Sequence, residues 1–233
     1  MDPLSLKKLN AERRARRAAL LVTSLSDGRD RIIREGDEVA GALGEAAIRA
    51  FRTGRSGVVE ADGEEFFVNA HLPPPRLVVI GAVHISQALA PIATITGYDV
   101  EIIDPRTAFA TPERFSGVRL DAEWPETVLK RRPLDRYTAL AAVTHDPKID
   151  DYPLTAALQA ECFYVGALGS RKTHAKRLER LAAAGVGAEA TARIHAPIGL
   201  DIAAQSPAEI AVAVLAQVIE AFHQRGMAER AAA

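Results

Sequence analysis

The amino-acid sequence predicts an α/β protein, with a Rossmann-like, doubly wound and mainly parallel sheet preceded by a smaller N-terminal α+β domain. After the prolines at 73–75, short apolar runs alternate with helical segments, and before them lies a hairpin pattern around Asp62 and Gly63. The chain has 233 residues, 48% apolar and 25% charged, which is typical of a globular protein. Because three prolines fit neither a helix nor a central strand, they predict a connector between two domains, residues 1–73 and 74–233.

The N-terminal domain is predicted to hold two helices, two strands and a hairpin. Its first helix is basic, and its second covers about Gly41 to Thr53. The Asp62-Gly63 pair suits a two-residue hairpin turn, because both positions of that turn require positive φ. The strand-like runs and the hairpin have the sequences ALLVTSL, RDRIIRE and SGVVEADGEEFFVN.

The C-terminal domain is predicted to alternate strands and helices. Its first strand, RLVVIG, is wholly apolar, as expected of a strand that helices cover on both faces. Its last helix begins at SPAE, where Ser206 and Glu209 form a capping box and Pro207 takes the first helical position. The other strands are DVEIID, GVRL, YTALAAVTH and CFYVGALG, and the other helices cover His84–Thr96, Pro125–Arg131, Pro153–Ala160 and Ser170–Ala184.

The charge balance excludes a general affinity for nucleic acid, because 29 Lys and Arg stand against 30 Asp and Glu. The first twenty residues hold six basic and two acidic side chains, and with the apolar run AALLVTSLS they faintly resemble a twin-arginine export signal. That run is short and continues into a strand pattern, so we expect a cytoplasmic protein. Leu77 to Tyr98 lacks charge but is interrupted by Gly81 and Pro91, so we expect no membrane span.

Two strand ends carry a partial dinucleotide pattern. In a doubly wound sheet, ligands bind beyond the carboxyl ends of the strands. Gly81 fits the first position of G-x-G-x-x-G, but Val83 and Ser86 replace the other two glycines. Asp104 follows the second strand and is placed to bind a ribose hydroxyl, with Arg106 near enough to bind a phosphate. The alternative is that Asp104 caps the turn that it begins.

Two further loops carry polar residues after strands. His145 and Asp146 follow the fourth strand, where they are suited to bind a ligand or to transfer a proton near neutral pH. The alternative is a turn in which Asp146 bonds the local backbone ahead of Pro147. His195 and Asp201 lie around a Pro-Gly turn before the last helix and are expected to form a wall of the site.

The strongest indication of a binding site is the segment GALGSRKTH. Gly166 and Gly169 permit close backbone approach, and Ser170 is suited to cap the helix that follows. Arg171 and His174 lie in the first turn of that helix, with Lys172 and Thr173 between them. Free N–H groups and the helix dipole attract anions at this position, so we expect a phosphate site. The alternative is a solvated basic patch that continues through Lys176, Arg177 and Arg180.

The histidines and the cysteine complete the candidates. His84, His145, His174 and His195 could converge above the strand ends, but none has metal-ligand spacing, so we expect no bound metal. Cys162 is the only cysteine, which excludes an internal disulfide and indicates a reducing compartment. It begins an apolar strand, where a buried, inert thiol is the common outcome and sulfur transfer is the alternative.

Four segments of the chain resemble the XdhC/CoxI family, the accessory proteins of molybdenum hydroxylases such as xanthine dehydrogenase and aerobic carbon monoxide dehydrogenase. The resemblance covers Pro75 to about Ile219. The segments are RLVVIGAVHISQALAPIATITGYDVEIIDPR, THDPKIDDYPLTAAL, CFYVGALGSRKTHAKRLERL and HAPIGLDIAAQSPAEIAVAVLAQVI.

The resemblance implies a protein that binds molybdenum cofactor, in its mono- or dinucleotide form, and delivers it to an apo molybdenum hydroxylase. It also implies a cysteine desulfurase as the partner that supplies the terminal sulfido ligand, and a homodimer. The phosphate or pyrophosphate of the cofactor would suit the anion site. The candidate cofactor-binding residues are Gly81, His84, Asp104, Arg106, His145, Asp146, Gly166, Gly169, Ser170, Arg171, Thr173, His174, His195 and Asp201.

The chain departs from the family pattern at two places. Family members often carry a Gly-Gly-Cys segment in the N-terminal domain, whereas this chain has VAGALGEAAI around Gly41 to Ile48, so sulfur relay through that segment is not available. They also often read GAGH where this chain reads GAVH, which disfavours ordinary NAD binding. A cofactor chaperone without turnover is our first hypothesis. An NAD(P)-dependent oxidoreductase and an assembly factor that binds no small molecule are the alternatives.

Overall fold

The computed structural model describes residues 2–224 and divides into two compact units, one that ends at Pro73 and one that spans Pro74–Gln224. The first unit contains a four-stranded antiparallel sheet and the second a six-stranded parallel sheet. The fold class predicted from the sequence is confirmed. Residues 225–233, which the sequence analysis assigned to the second domain, lie outside the described residues.

The N-terminal unit packs one helix on each face of its sheet. Leu20 of the first strand joins an apolar cluster with Leu43 of the second helix, whereas its neighbour Leu21 joins Leu9 of the first helix. Successive strand residues point to opposite faces, so both faces of this strand are covered. The strand order is β2-β1-β4-β3. The elements are α1 (Pro3–Arg14), β1 (Ala19–Ser24), β2 (Asp30–Arg34), α2 (Gly41–Thr53), β3 (Gly57–Ala61) and β4 (Glu64–His71).

The C-terminal unit continues the chain with alternating strands and helices. Its first part comprises β5 (Arg76–Ile80), α3 (His84–Ile95), β6 (Asp99–Ile103), β7 (Arg119–Asp121), α4 (Pro125–Arg131) and β8 (Thr138–Ala142). Its second part comprises α5 (Pro147–Gln159), β9 (Tyr164–Ala167), α6 (Arg171–Ala183), α7 (Ala188–Thr191), β10 (Ile194–His195) and α8 (Pro207–Gln224).

The strand order of the second sheet is β10-β9-β8-β5-β6-β7, so the direction in which strands are added reverses between β5 and β8. The chain starts at the centre, extends outward through β6 and β7, and then crosses back to build the other half. Ligands of doubly wound sheets bind outside the carboxyl ends of the strands at such a reversal. The loops that follow β5, β6, β8 and β9 therefore define the region to search for a site.

Both faces of the parallel sheet are covered, which explains why its strands are apolar throughout. In β5, Leu77 lies in a cluster with Leu89 of α3 and Val214 of α8. The next residue, Val78, lies on the opposite face in a cluster with Leu154 of α5. Because neither face of the strand is exposed to water, its sequence does not alternate between apolar and polar residues.

The start of α5 corrects one sequence expectation. The helix was expected over Pro153–Ala160, but it begins at Pro147, one residue after the capping carboxylate of Asp146. A proline inside a helix removes one backbone hydrogen bond and costs about 3 kcal/mol. Pro153 is nevertheless accommodated because it is buried on the same helix as Ile149 and Leu154, which pack against the sheet.

The cap of α8 agrees with the sequence. The Ser206 hydroxyl accepts a bond from the Glu209 N–H at 3.2 Å, and the Glu209 carboxylate accepts one from the Ser206 N–H at 2.9 Å. The capping box is therefore confirmed. The short elements α7 and β10 were not expected, because four and two residues are too few to show a period in the sequence. Between residues 2 and 224, no helix has both the length and the apolar character of a membrane span.

Candidate functional site

The loop after β5 packs tightly against the loop after β8. Gly81 has a φ of +120°, which favours glycine, and a Cβ at this position would lie 2.8 Å from the Thr144 Cγ2 atom. The N–H of the next residue, Ala82, donates to the Asp104 carboxylate at 2.7 Å. Glycine is therefore required here for a turn and for close contact between two strand ends.

Asp104 is wholly buried, and both of its carboxylate oxygens are bonded within the chain. One oxygen accepts the Ala82 N–H and the Arg106 Nη2, and the other accepts the Arg106 N–H and Nε, all at 2.7–2.9 Å. Burial opposes ionisation, but these hydrogen bonds outweigh it and hold the pKa of Asp104 below its usual value. The bond to the Arg106 N–H is the one that the turn interpretation expects. A ribose hydroxyl would have to displace one of these bonds.

A pocket of about 310 Å³ opens between the N-terminal halves of α5 and α6. Four of its nine side chains are basic, which makes it the region where the predicted anion site is to be sought. We call it the α5–α6 pocket. It is lined by His145, Pro147, Asp150, Asp151, Lys172, Thr173, Lys176, Arg177 and Arg180.

Arg177 is the central cation of the α5–α6 pocket. Only 2% of the residue is exposed, and its Nη2 donates to the Leu168 carbonyl at 2.9 Å. The Nε and Nη1 atoms are buried and have no hydrogen-bond partner among residues 2–224. Burial lowers the pKa of Arg177, while the charges of Asp150 and Asp151 oppose that shift. Buried donors without partners are costly, so Arg177 offers N–H groups that a bound anion would satisfy.

Asp150 faces the same pocket and is 1% exposed. One of its oxygens accepts the Thr144 hydroxyl at 2.7 Å, and the other is buried without a hydrogen-bond partner in the part of the chain that the structure describes. Burial raises the pKa of Asp150 to about 6, against the opposing effects of the Thr144 hydrogen bond and the Arg177 charge. The pocket therefore contains a buried acid that can be neutral close to physiological pH.

The remaining charges make the α5–α6 pocket positive. Arg180 is paired with Asp151 through two hydrogen bonds of 2.6 and 3.0 Å, so these two charges largely cancel. Lys172 and Lys176 are exposed at the opening and add two positive charges to that of Arg177. Cations around a concave site attract and hold phosphate groups.

The loop before α6 has the local structure that its sequence predicts. The Ser170 hydroxyl accepts the Thr173 N–H at 3.2 Å and caps the helix. Gly169 has a φ of +133°, and a Cβ there would lie 3.1 Å from the Thr173 side chain. Arg171 is exposed in the first turn. The N-terminus of this 13-residue helix therefore adds its dipole beside the pocket.

Two predicted residues lie at the loop after β8. His145 lines the α5–α6 pocket, and its φ of +64° places it in the left-handed region. Asp146 caps α5, and its carboxylate accepts the Lys148 N–H at 2.9 Å. The structure thus places His145 at the pocket and gives Asp146 the local backbone bond that the turn interpretation expects.

Four further predicted residues are also not among those that line this pocket. Gly166 accommodates the ring of Tyr164, because a Cβ would lie 2.5 Å from the Tyr164 hydroxyl. His195 stacks on that ring, with centroids 4.9 Å apart. His84, the first residue of α3, and Asp201, in the loop before α8, are both exposed.

His174 and Cys162 are not available as exposed reactive groups. His174 is partly buried, and burial together with the Arg177 charge lowers its pKa. Cys162 is fully buried, and burial, with a smaller effect of Asp135, raises the pKa of its thiol to about 12. Within residues 2–224, no three His, Cys, Asp or Glu side chains form a group that could hold a metal ion.

Asp150 was not among the site residues predicted from the sequence, and Arg177 appeared only in the alternative of a solvated basic patch. The solvated interpretation does not hold for Arg177, because that side chain is buried. Its spacing offered a signal, since Thr173 and Arg177 are four residues apart and lie on one face of α6. Asp150 was not recognised because the helix was expected to begin at Pro153, whereas α5 begins at Pro147 and includes Asp150.

The comparisons with known proteins concern the domain that contains the pocket. A family model described as the XdhC Rossmann domain matches residues 77–218, a range that includes every side chain of the α5–α6 pocket. A solved structure described as a xanthine dehydrogenase from Bacillus halodurans superposes with a TM-score of 0.63 over 94% of this chain and 64% of that chain. At 23% identity, this likeness shows a shared fold.

Three curated proteins resemble the chain in sequence. It is 34% identical over 159 residues to the uncharacterized protein YqeB of Escherichia coli K12, covering 66% of this chain and 28% of that protein. It is 32% identical over 155 residues to a probable xanthine dehydrogenase subunit of Bacillus subtilis 168, covering 66% and 45%. It is 34% identical over 146 residues to the molybdenum cofactor insertion chaperone PaoD of Escherichia coli K12, covering 63% and 40%. The chain spans less than half the length of each of these relatives.

Proposed function

The chain belongs to the XdhC family, and on that premise we propose that it is a maturation factor that binds molybdenum cofactor and delivers it to an apo molybdenum hydroxylase. In this role the cofactor is cargo, and the protein performs no turnover of its own. Two relatives bear names that support the proposal. One is a molybdenum cofactor insertion chaperone, and the other belongs to a probable xanthine dehydrogenase.

The observation that carries the proposal is the α5–α6 pocket. Molybdenum cofactor carries a phosphate, or a pyrophosphate in its dinucleotide form, and needs cationic donors to bind it. Arg177 has buried N–H groups that meet no acceptor within the described residues, and Lys172 and Lys176 lie at the opening of the pocket. The Ser170-capped N-terminus of α6 adds favourable electrostatics for an anion. The residues present therefore fit the anionic part of the cofactor.

Sulfuration of the cofactor is proposed to depend on a separate cysteine desulfurase. Cys162 is the only cysteine of the chain, and it is fully buried with a pKa raised to about 12 by burial. A thiol with this pKa is almost wholly protonated at neutral pH, and the thiolate is the form that accepts and transfers sulfur. The chain would thus hold the cofactor while a partner supplies the sulfur.

The geometry gives less support to an NAD(P)-dependent oxidoreductase. Asp104, the residue placed to bind a ribose hydroxyl, has both oxygens engaged by Ala82 and Arg106. A Cβ built at Gly81 would lie 2.8 Å from the Thr144 Cγ2 atom, so there is little room between the two loops on that side of the turn. Binding of a ribose hydroxyl at Asp104 would require one of these hydrogen bonds to open.

The test is native mass spectrometry of the full chain, purified without oxygen from cells that make molybdenum cofactor. It is combined with the fluorescence of oxidised pterin released on denaturation. We expect close to one pterin per chain, with a mass that identifies the nucleotide form. A chain that carries no pterin but binds NAD(P) when offered would overturn the proposal.

A pair of lysine variants connects the cofactor to the pocket. Lys176→Ala removes a cation that lines the α5–α6 pocket, and loss of one charge-assisted contact costs about 1.5–3 kcal/mol. When the cofactor concentration is well below its dissociation constant, we therefore expect the amount of pterin bound per chain to fall at least tenfold. Lys148→Ala is the matched control, since Lys148 is also an exposed helical lysine but does not line this pocket.

A further inference from the structure

The α5–α6 pocket combines two buried groups with opposite requirements. Arg177 has donors that an anion would satisfy, but the carboxylate of Asp150 would repel that anion at close range. No hydrogen bond joins the two side chains, because Arg177 donates to the Leu168 carbonyl and Asp150 accepts from Thr144. A ligand that satisfies Arg177 therefore favours the uncharged form of Asp150.

We propose that this pocket is a phosphate site that binds its ligand together with one proton, with Arg177 as the central donor and Asp150 as the group that takes up the proton. The proton comes from solvent. Once neutral, the carboxylic acid can donate its O–H to a phosphate oxygen through the atom that now lacks a partner. The identity of the natural ligand as the cofactor phosphate rests on the proposed function, whereas the site itself can be tested with a simple anion.

The two states of the pocket follow from its charges. When the pocket is empty, ionised Asp150 partly compensates the buried charge of Arg177, and each acts on the pKa of the other. When a phosphate binds, it compensates Arg177 directly and the charge on Asp150 becomes unfavourable. The pKa of Asp150, about 6 when the pocket is empty, places this exchange close to neutral pH. Release of the ligand is then coupled to release of a proton.

Three of the charged groups around Asp150 are already held in ion pairs. Asp151 is held in an ion pair with Arg180, and Arg106 is held by Asp104. His145 also lines the pocket, so it needs its own control. The charged and titratable groups around Asp150 are Asp151 on α5, His145 and Asp146 after β8, Arg106 after β6, and Lys172, Lys176, Arg177 and Arg180 on α6.

The experiment is isothermal titration of the full chain with sodium sulfate at pH values from about 5 to about 8. Sulfate has the shape of phosphate and keeps a constant charge over this range, so any pH dependence belongs to the protein. We expect the affinity to fall by about tenfold for each pH unit above the pKa of Asp150. Titrations in two buffers with different ionisation enthalpies should show uptake of about one proton per sulfate on the high-pH side.

Variants assign the proton to Asp150. Asp150→Asn should bind sulfate with little dependence on pH, and at pH 8 it should bind tenfold or more tightly than the natural chain. Glu179→Gln is the matched control, because it removes the same charge from an exposed position on α6 outside the pocket. His145→Gln should keep most of the pH dependence. Retention of the full pH dependence in Asp150→Asn would overturn the assignment.

Further variants test the role of Arg177 as the donor. Arg177→Lys keeps the positive charge but removes the planar guanidinium group, whose N–H groups can donate two parallel hydrogen bonds. This variant should bind sulfate at least tenfold more weakly. If this buried variant fails to fold, the exposed Lys176→Ala variant tests the same pocket and should also weaken binding. Absence of saturable sulfate binding, or equal affinity in Lys176→Ala and Lys148→Ala, would overturn the site. If the site fails this test but pterin co-purifies with the chain, the proposed function still holds. If sulfate binds together with a proton but no pterin co-purifies, the proposed function is refuted and the phosphate site is retained.

Discussion

Asp104→Asn tests whether Asp104 acts as the internal link between the loops after β5 and β6. The carboxylate accepts four hydrogen bonds, from the Ala82 N–H and from three N–H groups of Arg106. An asparagine has one acceptor oxygen, so its NH₂ group would face two of these donors in either orientation. The variant should therefore be less stable than the natural chain without any change in side-chain volume.

The size of the loss follows from the burial of the pair. Breaking a buried ion pair costs about 3–5 kcal/mol, since the remaining charge is left uncompensated. The Arg106 side chain is 33% exposed, so water screens part of its charge and the loss should be reduced to about 2–4 kcal/mol. Unfolding in urea, followed by the fluorescence of Trp124, measures this loss. Trp124 is the only tryptophan and lies at the start of α4, so it reports on the C-terminal unit.

The pH dependence gives a second measurement of the same bond. The folded pKa of Asp104 lies below its unfolded value of about 3.9, so in that pH range the unfolded chain binds more protons at this group than the folded chain does. The stabilisation by Asp104 is then fully present above about pH 4 and is lost as the pH falls through the folded pKa. The free energies of unfolding of the natural chain and of Asp104→Asn should therefore converge below about pH 4.

The matched control is Glu161→Gln, which removes a charge from an exposed pair with Arg136. Surface pairs contribute about 0–1 kcal/mol, so this variant should be nearly neutral. A loss below about 1 kcal/mol in Asp104→Asn, or a loss that is the same at pH 3 and pH 7, would contradict the internal role of Asp104.

Two further predictions concern the sheet. Cys162, whose pKa burial raises to about 12, should react with an aromatic disulfide reagent only after the protein unfolds. Rapid reaction of the folded chain, followed by absorbance, would show instead that the thiol is reachable. Gly166→Ala would place a Cβ 2.5 Å from the Tyr164 hydroxyl, and overpacking of this kind costs about 1–3 kcal/mol in urea unfolding. A Cβ at Gly187 meets nothing within 4 Å, so Gly187→Ala is the control; it changes only the N-cap residue of the short helix α7 and should cost less than about 1 kcal/mol.

Much of the fold could be predicted because its signals are local. The Ser206 capping box and the Ser170 cap each depend on residues within about four positions, and both are present in the structure. The wholly apolar strand at Leu77 indicated a sheet covered on both faces. The start of α5 could not be predicted in this way, because the cost of Pro153 inside the helix is offset by its burial against the rest of the unit.

The candidate site was predictable only in part. The N-terminus of α6 was expected as an anion site because a cap, glycines and basic residues are adjacent in the sequence. Asp150 and Arg177 are 27 positions apart and face one pocket because β8 and β9 are neighbours in the sheet, which places α5 beside α6. A basic run in a sequence also does not reveal which of its members is buried.

The sequence by itself determined the alternation of strands and helices, the helix caps and the family of the chain, because these depend on contacts between neighbouring residues and on the pattern of apolar side chains. The tertiary structure decided which charges leave water and which donors they meet. It gave both carboxylate oxygens of Asp104 internal partners, whereas Arg177 and Asp150 are buried with atoms that have no hydrogen-bond partner between residues 2 and 224. The physical reason is that desolvation and hydrogen bonding depend on the three-dimensional surroundings of a group, which bring together residues far apart in the chain.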